Sequence, residues 1–358
     1  MKGRLVRFER SDPRAEVLVV TNGWPHEKDD TYCVFIKRQT ESLLARGLRY
    51  DVLFIRGYRS PLAYALAAGR LAAWSLARRR RYQLVHAHSG EAALAAAFYR
   101  RCPLLVSYLG DDLLGTPNAE GAVTVPWRIR RWIIRQHSRL ATRTITKSRE
   151  MELALPAKVR ARNTVLPNGV DIELFRPIER DVARRELGWH PGARLALFAG
   201  DPAVPRKRYR LAQAAIERAR LELDDLELEV ATGVSPERMP LLMNAADCLL
   251  LTSSIEGSPN VVKEGLMCNL PVVATRAGDV EELLDGVTPS YVCESAERPL
   301  AEALVQCLRE PRRSNGRAMS ARLDSRAVAD SMLSLYKQVA PKLELEEPAF
   351  ATVEAAAS

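Results

Sequence analysis

Short apolar runs alternate with longer amphipathic stretches along most of the chain. Runs bounded by turn residues read as buried parallel strands. They fall at Glu16–Thr21, Tyr50–Ile55, Leu84–Ala87, Leu104–Tyr108, Thr144–Lys147 and Thr164–Leu166. Between them, apolar positions recur at helical spacing over Thr31–Arg46 (ending at Gly47), Pro61–Arg81, Glu91–Arg101 and Pro126–Leu140. A second series has strands Leu195–Ala199, Leu226–Ala231, Leu249–Thr252, Pro271–Thr275 and Tyr291–Cys293. Its helices are Lys207–Ala219, Glu237–Ala245 and one running from Ser258-Pro259 to Asn269. Strands alternating with helices predict parallel βαβ units and an α/β fold. Three helical segments near 297–309, 312–323 and 326–339 close the chain. Residues 1–14 are polar and are expected to fray.

The chain has 358 residues, which favours two domains over one. The turn-rich stretch from Asn168-Gly169-Val170-Asp171 to Phe175-Arg176-Pro177 separates the two series, and Asn-Gly favours positive φ there. This divides the chain into a first unit over 1–170, a linker over 171–192, a second unit over 193–325, a helix over 326–340 and a disordered tail over 341–358.

The most informative stretch is Leu249–Glu282, which carries Glu256 and Glu264 in Glu-Gly-Ser-Pro-Asn-Val-Val-Lys-Glu. Ser258 is expected to cap the helix, with Pro259 at its first position, where the missing N–H costs nothing. Glu256 then lies in a loop at the carboxyl end of a strand, where open α/β sheets bind ligands. Glu264 lies one to two turns along the helix, about 8 Å from Pro259 at 1.5 Å per residue. A helix N-terminus favours phosphate, and a carboxylate accepts two hydroxyl donors, which suits a sugar or ribose diol. An elongated ligand with phosphates in the middle and a diol at each end fits this spacing.

Gly200–Arg208 follows a strand and places Arg206, Lys207 and Arg208 together, so basic side chains there can clamp a diphosphate. His86-Ala87-His88 is a histidine pair at a strand end, but no third metal ligand accompanies it, and no metal is expected. No G-x-G-x-x-G or Walker loop occurs, which argues against a dinucleotide oxidoreductase or a P-loop enzyme.

Charge is divided unevenly. Residues 1–180 hold 32 Lys and Arg against 17 Asp and Glu, and the remainder holds 21 against 27. The first half therefore suits an anionic surface or ligand. Trp127–Arg139 mixes Trp and Ile with arginines, as an anionic membrane interface requires, and Arg78–Arg81 adds a second basic run. Nucleic acid is not expected, because no nucleic-acid-binding module accompanies the charge. No apolar run reaches the roughly 18 residues needed to span a bilayer, and the start of the chain has no signal core. Six singly placed cysteines fit a reducing cytosol.

EGSPNVVKEGLMCNLPVVAT resembles the E-x7-E segment of the retaining glycosyltransferases of family four (glycosyl transferases group 1). The resemblance runs from about residue 15 to 340. It implies the GT-B fold, with two Rossmann-like α/β/α domains facing across a cleft and the last helix returning to the first domain. It also implies retaining transfer, hexosyl transfer by expectation, from a nucleotide-diphosphate sugar used as co-substrate with no cofactor. The acceptor is expected to be a cell-surface glycan or lipid-linked molecule, reached by a cytoplasmic enzyme on the inner face of the membrane. Lys207 matches the lysine of the family's diphosphate-binding pair, and Glu256, Lys207 and Arg206, the last standing in for the family arginine, are expected to be catalytic; donor contacts are expected from Glu264, Gly257, Ser258, Pro259, Asn260 and Val261.

His26, His88, Asp111 and Asp112 fall on the acceptor or cleft side. His86–Gly90 resembles the family's His-x-His segment, and Leu109–Asp112 its His-Gly-x-Asp segment, with Leu109 in the histidine's place. Asp201 replaces the arginine usually found after Gly200. Two other readings stand beside this one: a GT-B nucleotide-sugar epimerase, and a degenerate binding-only member at the membrane surface.

Overall fold

The computed structural model describes residues 5–10, 12–26, 32–77, 82–116, 123–235 and 237–346. The acidic run 27–30, the basic run 78–81 and the tail beyond 346 lie outside the described residues, as does the start of the helix expected from Thr31.

Two separate sheets form. The first contains β1 (Val6–Arg10), β2 (Val17–Thr21), β3 (Tyr50–Ile55), β4 (Leu84–His88), β5 (Leu104–Ser107), β6 (Arg143–Thr146) and β7 (Asn163–Val165). They lie in the order β1-β3-β2-β4-β5-β6-β7, all parallel except β1 against β3. The second contains β8 (Arg194–Ala199), β9 (Leu226–Ala231), β10 (Cys248–Leu251), β11 (Val272–Thr275) and β12 (Tyr291–Cys293), parallel in the order β12-β11-β10-β8-β9. The strand order reverses between β2 and β4 in the first sheet and between β8 and β10 in the second. Loops diverge at such a reversal and leave a crevice beyond the strand ends, where ligands of open α/β sheets sit.

β1 corrects the expectation that residues 1–14 are frayed. Val6 and Phe8 alternate with charged residues, enough for an edge strand with one apolar face. Phe8 packs edge-on against Trp74 at 5.1 Å, and Arg70 stacks over both rings.

Alternation along the strands gives each sheet two buried faces. Leu18 and Val20 face a cluster with Ala63, Ala67 and Leu71, whereas Val17 and Val19 face Ile36, Leu43, Met332 and Tyr336. In the second sheet, Leu249 and Leu251 pack with Val262 and Leu266, and Leu250 packs with Ala215, Ile216 and Leu304. The last helix, Ser325–Val339, belongs to the core of the first sheet through Ala329, Met332 and Tyr336. The chain therefore crosses between the two sheets twice.

The 171–192 stretch is more than a connector. It carries the helix Arg180–Leu187. The buried Arg184 donates to the carbonyls of Ala245, Pro191 and Ala193 at 2.8, 2.6 and 2.8 Å, and to Asp247 at 2.7 Å. Asp247 also accepts from Arg180 at 2.9 Å and from the N–H of Leu195 at 2.8 Å. Gly169 is not among the glycines with positive φ, contrary to the Asn-Gly expectation. Its requirement is space, because a Cβ there would come within 2.5 Å of Ser325 Cα. The glycine lets the outgoing crossover touch the returning helix.

Removing Asp247 leaves the Arg184 guanidinium buried without a counter-charge. Asp247→Ala is expected to destabilise the second unit by about 3–5 kcal/mol. A urea titration followed by a probe in that unit measures it, and an unchanged midpoint contradicts the assignment.

Candidate functional site

The loops after β8 and β10 meet at the reversal of the second sheet. Thr252 Oγ1 donates to the carbonyl of Lys207 at 2.8 Å, and the N–H of Ser254 donates to the carbonyl of Arg206 at 2.8 Å. These bonds fix one turn beside the other. Lys207 Nζ then donates to Glu256 Oε1 at 2.6 Å, Arg206 Nη1 to the same oxygen at 3.1 Å and Ser253 Oγ at 2.7 Å. Burial pushes the Glu256 carboxyl upward, but Lys207 and Arg206 outweigh it and hold the group below its usual range. The cluster is an ionised carboxylate between two cations, with one positive charge in excess.

Lys207 does not open the helix as expected. It ends a 3-10 turn, Pro205–Lys207, and the helix Tyr209–Ala219 starts after Arg208, which has φ 49°. Arg208 turns away, donating to the Thr252 carbonyl at 2.9 Å and to Ser295. Two of the three basic residues therefore form the cluster.

The helix carrying Glu264 spans Asn260–Met267, with Pro259 at the cap position and no side-chain cap. Ser258 does not cap it, and its Oγ is buried away from the helix amides. The first amides of the helix, four residues after Glu256, are thus uncapped by any side chain. Gly257 is pressed against the first unit. A Cβ there would lie 2.6 Å from the Leu109 carbonyl oxygen and 3.2 Å from Gly110 Cα. Gly110 itself has φ +145°, open only to glycine.

Glu264 lies apart from Glu256, on a cavity of about 230 Å³ between the two units that is also lined by Arg38, Gln39, Asn168 and Asn260. Burial raises the Glu264 carboxyl pKa, against the pull of Arg38 and Lys263. Val261 is half-buried against the core of the second unit.

Residues of the first unit divide into two groups. Asp112 is buried, and its oxygens accept from the N–H groups of Gly90, Leu109, Gly110 and Leu113 at 2.9 to 3.2 Å. Burial, with help from Glu91 and Asp111, pushes it up to about 7. It holds the loop that meets Gly257 and does not line the cleft. His88 is also buried and is pushed down to about 3 by burial and Lys147. His86 bonds Tyr336 Oη at 2.6 Å and Ser107 Oγ at 2.8 Å. The histidine pair is strand-end packing, and the described residues contain no group of three or more His, Cys, Asp or Glu able to hold a metal ion.

Asp111 is exposed. His26 is half-buried and stacks on Tyr58 at 5.2 Å. Leu109 is half-buried, packs against the core of the first sheet and presents its backbone carbonyl to Gly257.

Sequence reasoning missed Ser253, the third donor to Glu256. It also missed Lys263 and Lys147, buried lysines close enough across the seam for Lys263 to help burial push Lys147 down to about 7. A lysine inside the apolar run Val261–Met267 was the available signal for Lys263. Gln39 and Arg38 carried none.

Residues 11–174 match Glycosyltransferase Family 4, and residues 191–310 match Glycosyl transferases group 1. Among curated proteins, the chain is 27% identical over 264 residues to a D-inositol 3-phosphate glycosyltransferase from Nocardia farcinica. That match covers 62% of this chain and 58% of the relative. It is also 27% identical over 296 residues to the protein of the same name from Mycobacterium bovis, covering 72% and 60%. The chain thus spans less than two thirds of the length of these relatives.

Among solved structures, sucrose-phosphate synthase from Thermosynechococcus elongatus superposes with a TM-score of 0.72 at 18% identity, covering 90% of this chain and 98% of that one. Anabaena HepE in complex with UDP-glucose gives 0.65 at 18%, covering 90% and 99%. With its two Rossmann-like units and these matches over both, the chain belongs to the group 1 glycosyltransferases of family-four type and has the GT-B fold.

Proposed function

We propose that this protein transfers a sugar from a nucleotide-diphosphate sugar to an acceptor alcohol with retention of anomeric configuration. The observation that carries the reading is the Lys207–Glu256–Arg206 cluster at the strand reversal of the second sheet, with uncapped helix amides four residues after Glu256. Two cations against one carboxylate leave a site that favours an anion. The amides of Asn260 and Val261 add further donors.

In the proposed reaction, the bond from the anomeric carbon to the β-phosphate oxygen breaks, and negative charge develops on that oxygen. Preorganised cations there lower the barrier, because they interact more strongly with the departing diphosphate than with the bound donor. The acceptor oxygen bonds to the anomeric carbon from the same face, and its proton passes to the leaving phosphate. Glu256 orients the cations and, through its second oxygen, a sugar hydroxyl. Relatives in this fold class have been solved with UDP and with UDP-glucose, which supports a nucleotide sugar as donor.

The acceptor side of the reading rests on the helix Val125–His137. Val125, Ile129, Trp132 and Ile133 are exposed on it, as is Leu140 just beyond it. The run from Val125 to Leu140 contains five arginines and no acidic residue. Apolar side chains among cations suit an anionic membrane surface, and with it a lipid-linked or surface-glycan acceptor. No helix among the described residues is long and apolar enough to cross a membrane, so attachment would be peripheral. Arg130 is ion-paired with Glu91 and stacked 4.2 Å from the Trp127 ring, and Arg131 donates to the Leu114 carbonyl at 3.1 Å. Arg128 and Arg139 are the exposed cations.

Three outcomes are expected. Lys207→Ala lowers sugar transfer by roughly 10²-fold or more, the scale of losing one transition-state contact; unchanged turnover removes Lys207 from the reaction. Glu256→Gln keeps the shape but removes the charge that competes with phosphate for Lys207 and Arg206. Transfer is expected to fall by roughly 10²-fold while nucleoside diphosphate binds at least as tightly, and weaker binding in a calorimetric titration contradicts this. Changing Arg128 and Arg139 to glutamate should abolish salt-sensitive sedimentation with anionic vesicles and leave donor binding intact. Equal binding of the parent protein to neutral vesicles overturns the membrane reading.

A further inference from the structure

Two lysines are buried where the units meet. Lys263, on the helix Asn260–Met267, is 0% exposed, and Lys147, just after β6, is 2% exposed. Lysine is almost never fully buried unless it is paired, because the ammonium loses its hydration. Neither lysine belongs to the Lys207–Glu256–Arg206 cluster, so their burial has another cause.

Both reach the start of the crossover. Lys147 Nζ donates to the Leu166 carbonyl at 3.4 Å, and Lys263 Nζ donates to the Asn168 carbonyl at 3.0 Å. The returning chain holds the same segment. The N–H of Val170 donates to the Leu323 carbonyl, and the N–H of Ser325 to the Val170 carbonyl, each at 2.8 Å. Arg317 makes a second tie at the end of the Lys263 helix, donating to the carbonyls of Met267, Ile172 and Phe175 at 3.1, 3.0 and 2.9 Å. The helix is therefore fixed to the crossover at two places.

Lys263 also faces a carboxylate. Burial pushes its ammonium down to about 8, with Asp279 and then Glu264 pulling the other way. Asp279 is 7% exposed, and burial pushes it up to about 6, with Lys263 as the first opposing charge. Each group thus stabilises the charge of the other. From the first unit, Lys147 is the cation on which the Lys263 charge acts. Asp279 directly follows Gly278, which has φ +60°. A Cβ on Gly278 would lie 2.8 Å from the Glu256 carbonyl oxygen and 2.9 Å from that of Gly257. The tie from Lys263 runs through Asp279 and Gly278 to the backbone of Glu256.

We infer that Lys263 is a positioning residue for the proposed transfer: its buried ammonium joins the helix Asn260–Met267 to the crossover and, through Asp279, sets the turn that backs the Glu256–Gly257 peptide. The inference rests on the proposed transfer reaction and adds a group that acts through Glu256. An ammonium suits both tasks, since it has a proton for a carbonyl and a charge for a carboxylate. Deprotonation leaves the bond to Asn168 in place and cancels the attraction to Asp279.

The test follows release of nucleoside diphosphate by the full chain from whichever of a panel of UDP-, GDP- and ADP-sugars it turns over, from about pH 6 to about pH 10. The parent kcat is expected to fall above about pH 8. Lys263→Arg stays charged, because arginine titrates above about 12, so its kcat should hold across the range. Asp279→Asn keeps the shape and removes the partner charge, so the fall should move down by roughly one pH unit. Lys263→Met should lower kcat at neutral pH by roughly tenfold or more, the effect of a misplaced catalytic group, and leave the affinity for nucleoside diphosphate in calorimetry unchanged.

A parent profile without a fall overturns the inference. So does a fall at the parent pH in folded Lys263→Arg or in Asp279→Asn, and should Lys263→Arg fail to fold, Asp279→Asn decides. Loss of kcat and of nucleotide affinity together in Lys263→Met also overturns it. In each of these outcomes turnover by the parent leaves the donor reading standing. If the parent turns over no nucleotide sugar, the donor reading fails and the inference fails with it.

Discussion

A single carboxylate oxygen, Glu256 Oε1, accepts from Lys207, Arg206 and Ser253. The arrangement of the site follows from that constraint. Three donors on one oxygen hold two loops from neighbouring strands in register, and they leave the cluster with one net positive charge. The loop after β8 could not hold its two cations there alone. The turn after β8 is a short 3-10 segment tied to the end of β10, and the glutamate comes from the loop after β10. The strand reversal between β8 and β10 brings the two together, so the chemistry depends on the topology of the sheet.

The seam between the units is built to a similar tolerance. Gly257 follows Glu256 directly and touches Leu109 and Gly110 of the first unit with no room for a methyl group. Asp112, which the sequence placed on the cleft side, supports this contact by accepting four backbone amides. The loss of the family histidine at Leu109 reads differently once the structure is known. The half-buried side chain there packs against the core of the first sheet, and the backbone carbonyl of that residue meets the Gly257 loop. In the proposed reaction the reacting groups belong to the second unit, and the first unit closes against them at Leu109 and Gly110.

Much of this was legible in the sequence because it depends on local pattern. The strands β10 and β11 follow from compact apolar runs, and the two carboxylates follow from a strand–loop–helix spacing. Departures came where tertiary context decides. β1 is only half apolar and is stable because β3 offers it an edge. Lys207 misses the helix start because Arg208 adopts a left-handed conformation, which no hydrophobic pattern encodes. Ser258 was a plausible cap, but the chain turns one residue later. Gln39 and Asn168 are ordinary polar residues in sequence, and only the fold brings them to one cavity.

The most direct test of the central claim is a crystal structure of the protein with a nucleoside diphosphate. The β-phosphate is expected within hydrogen-bonding distance of Lys207 and Arg206 and of the first amides of the Asn260–Met267 helix, with Glu256 released from at least one of its cations. A diphosphate bound elsewhere, with the Lys207–Glu256–Arg206 cluster undisturbed, would contradict it.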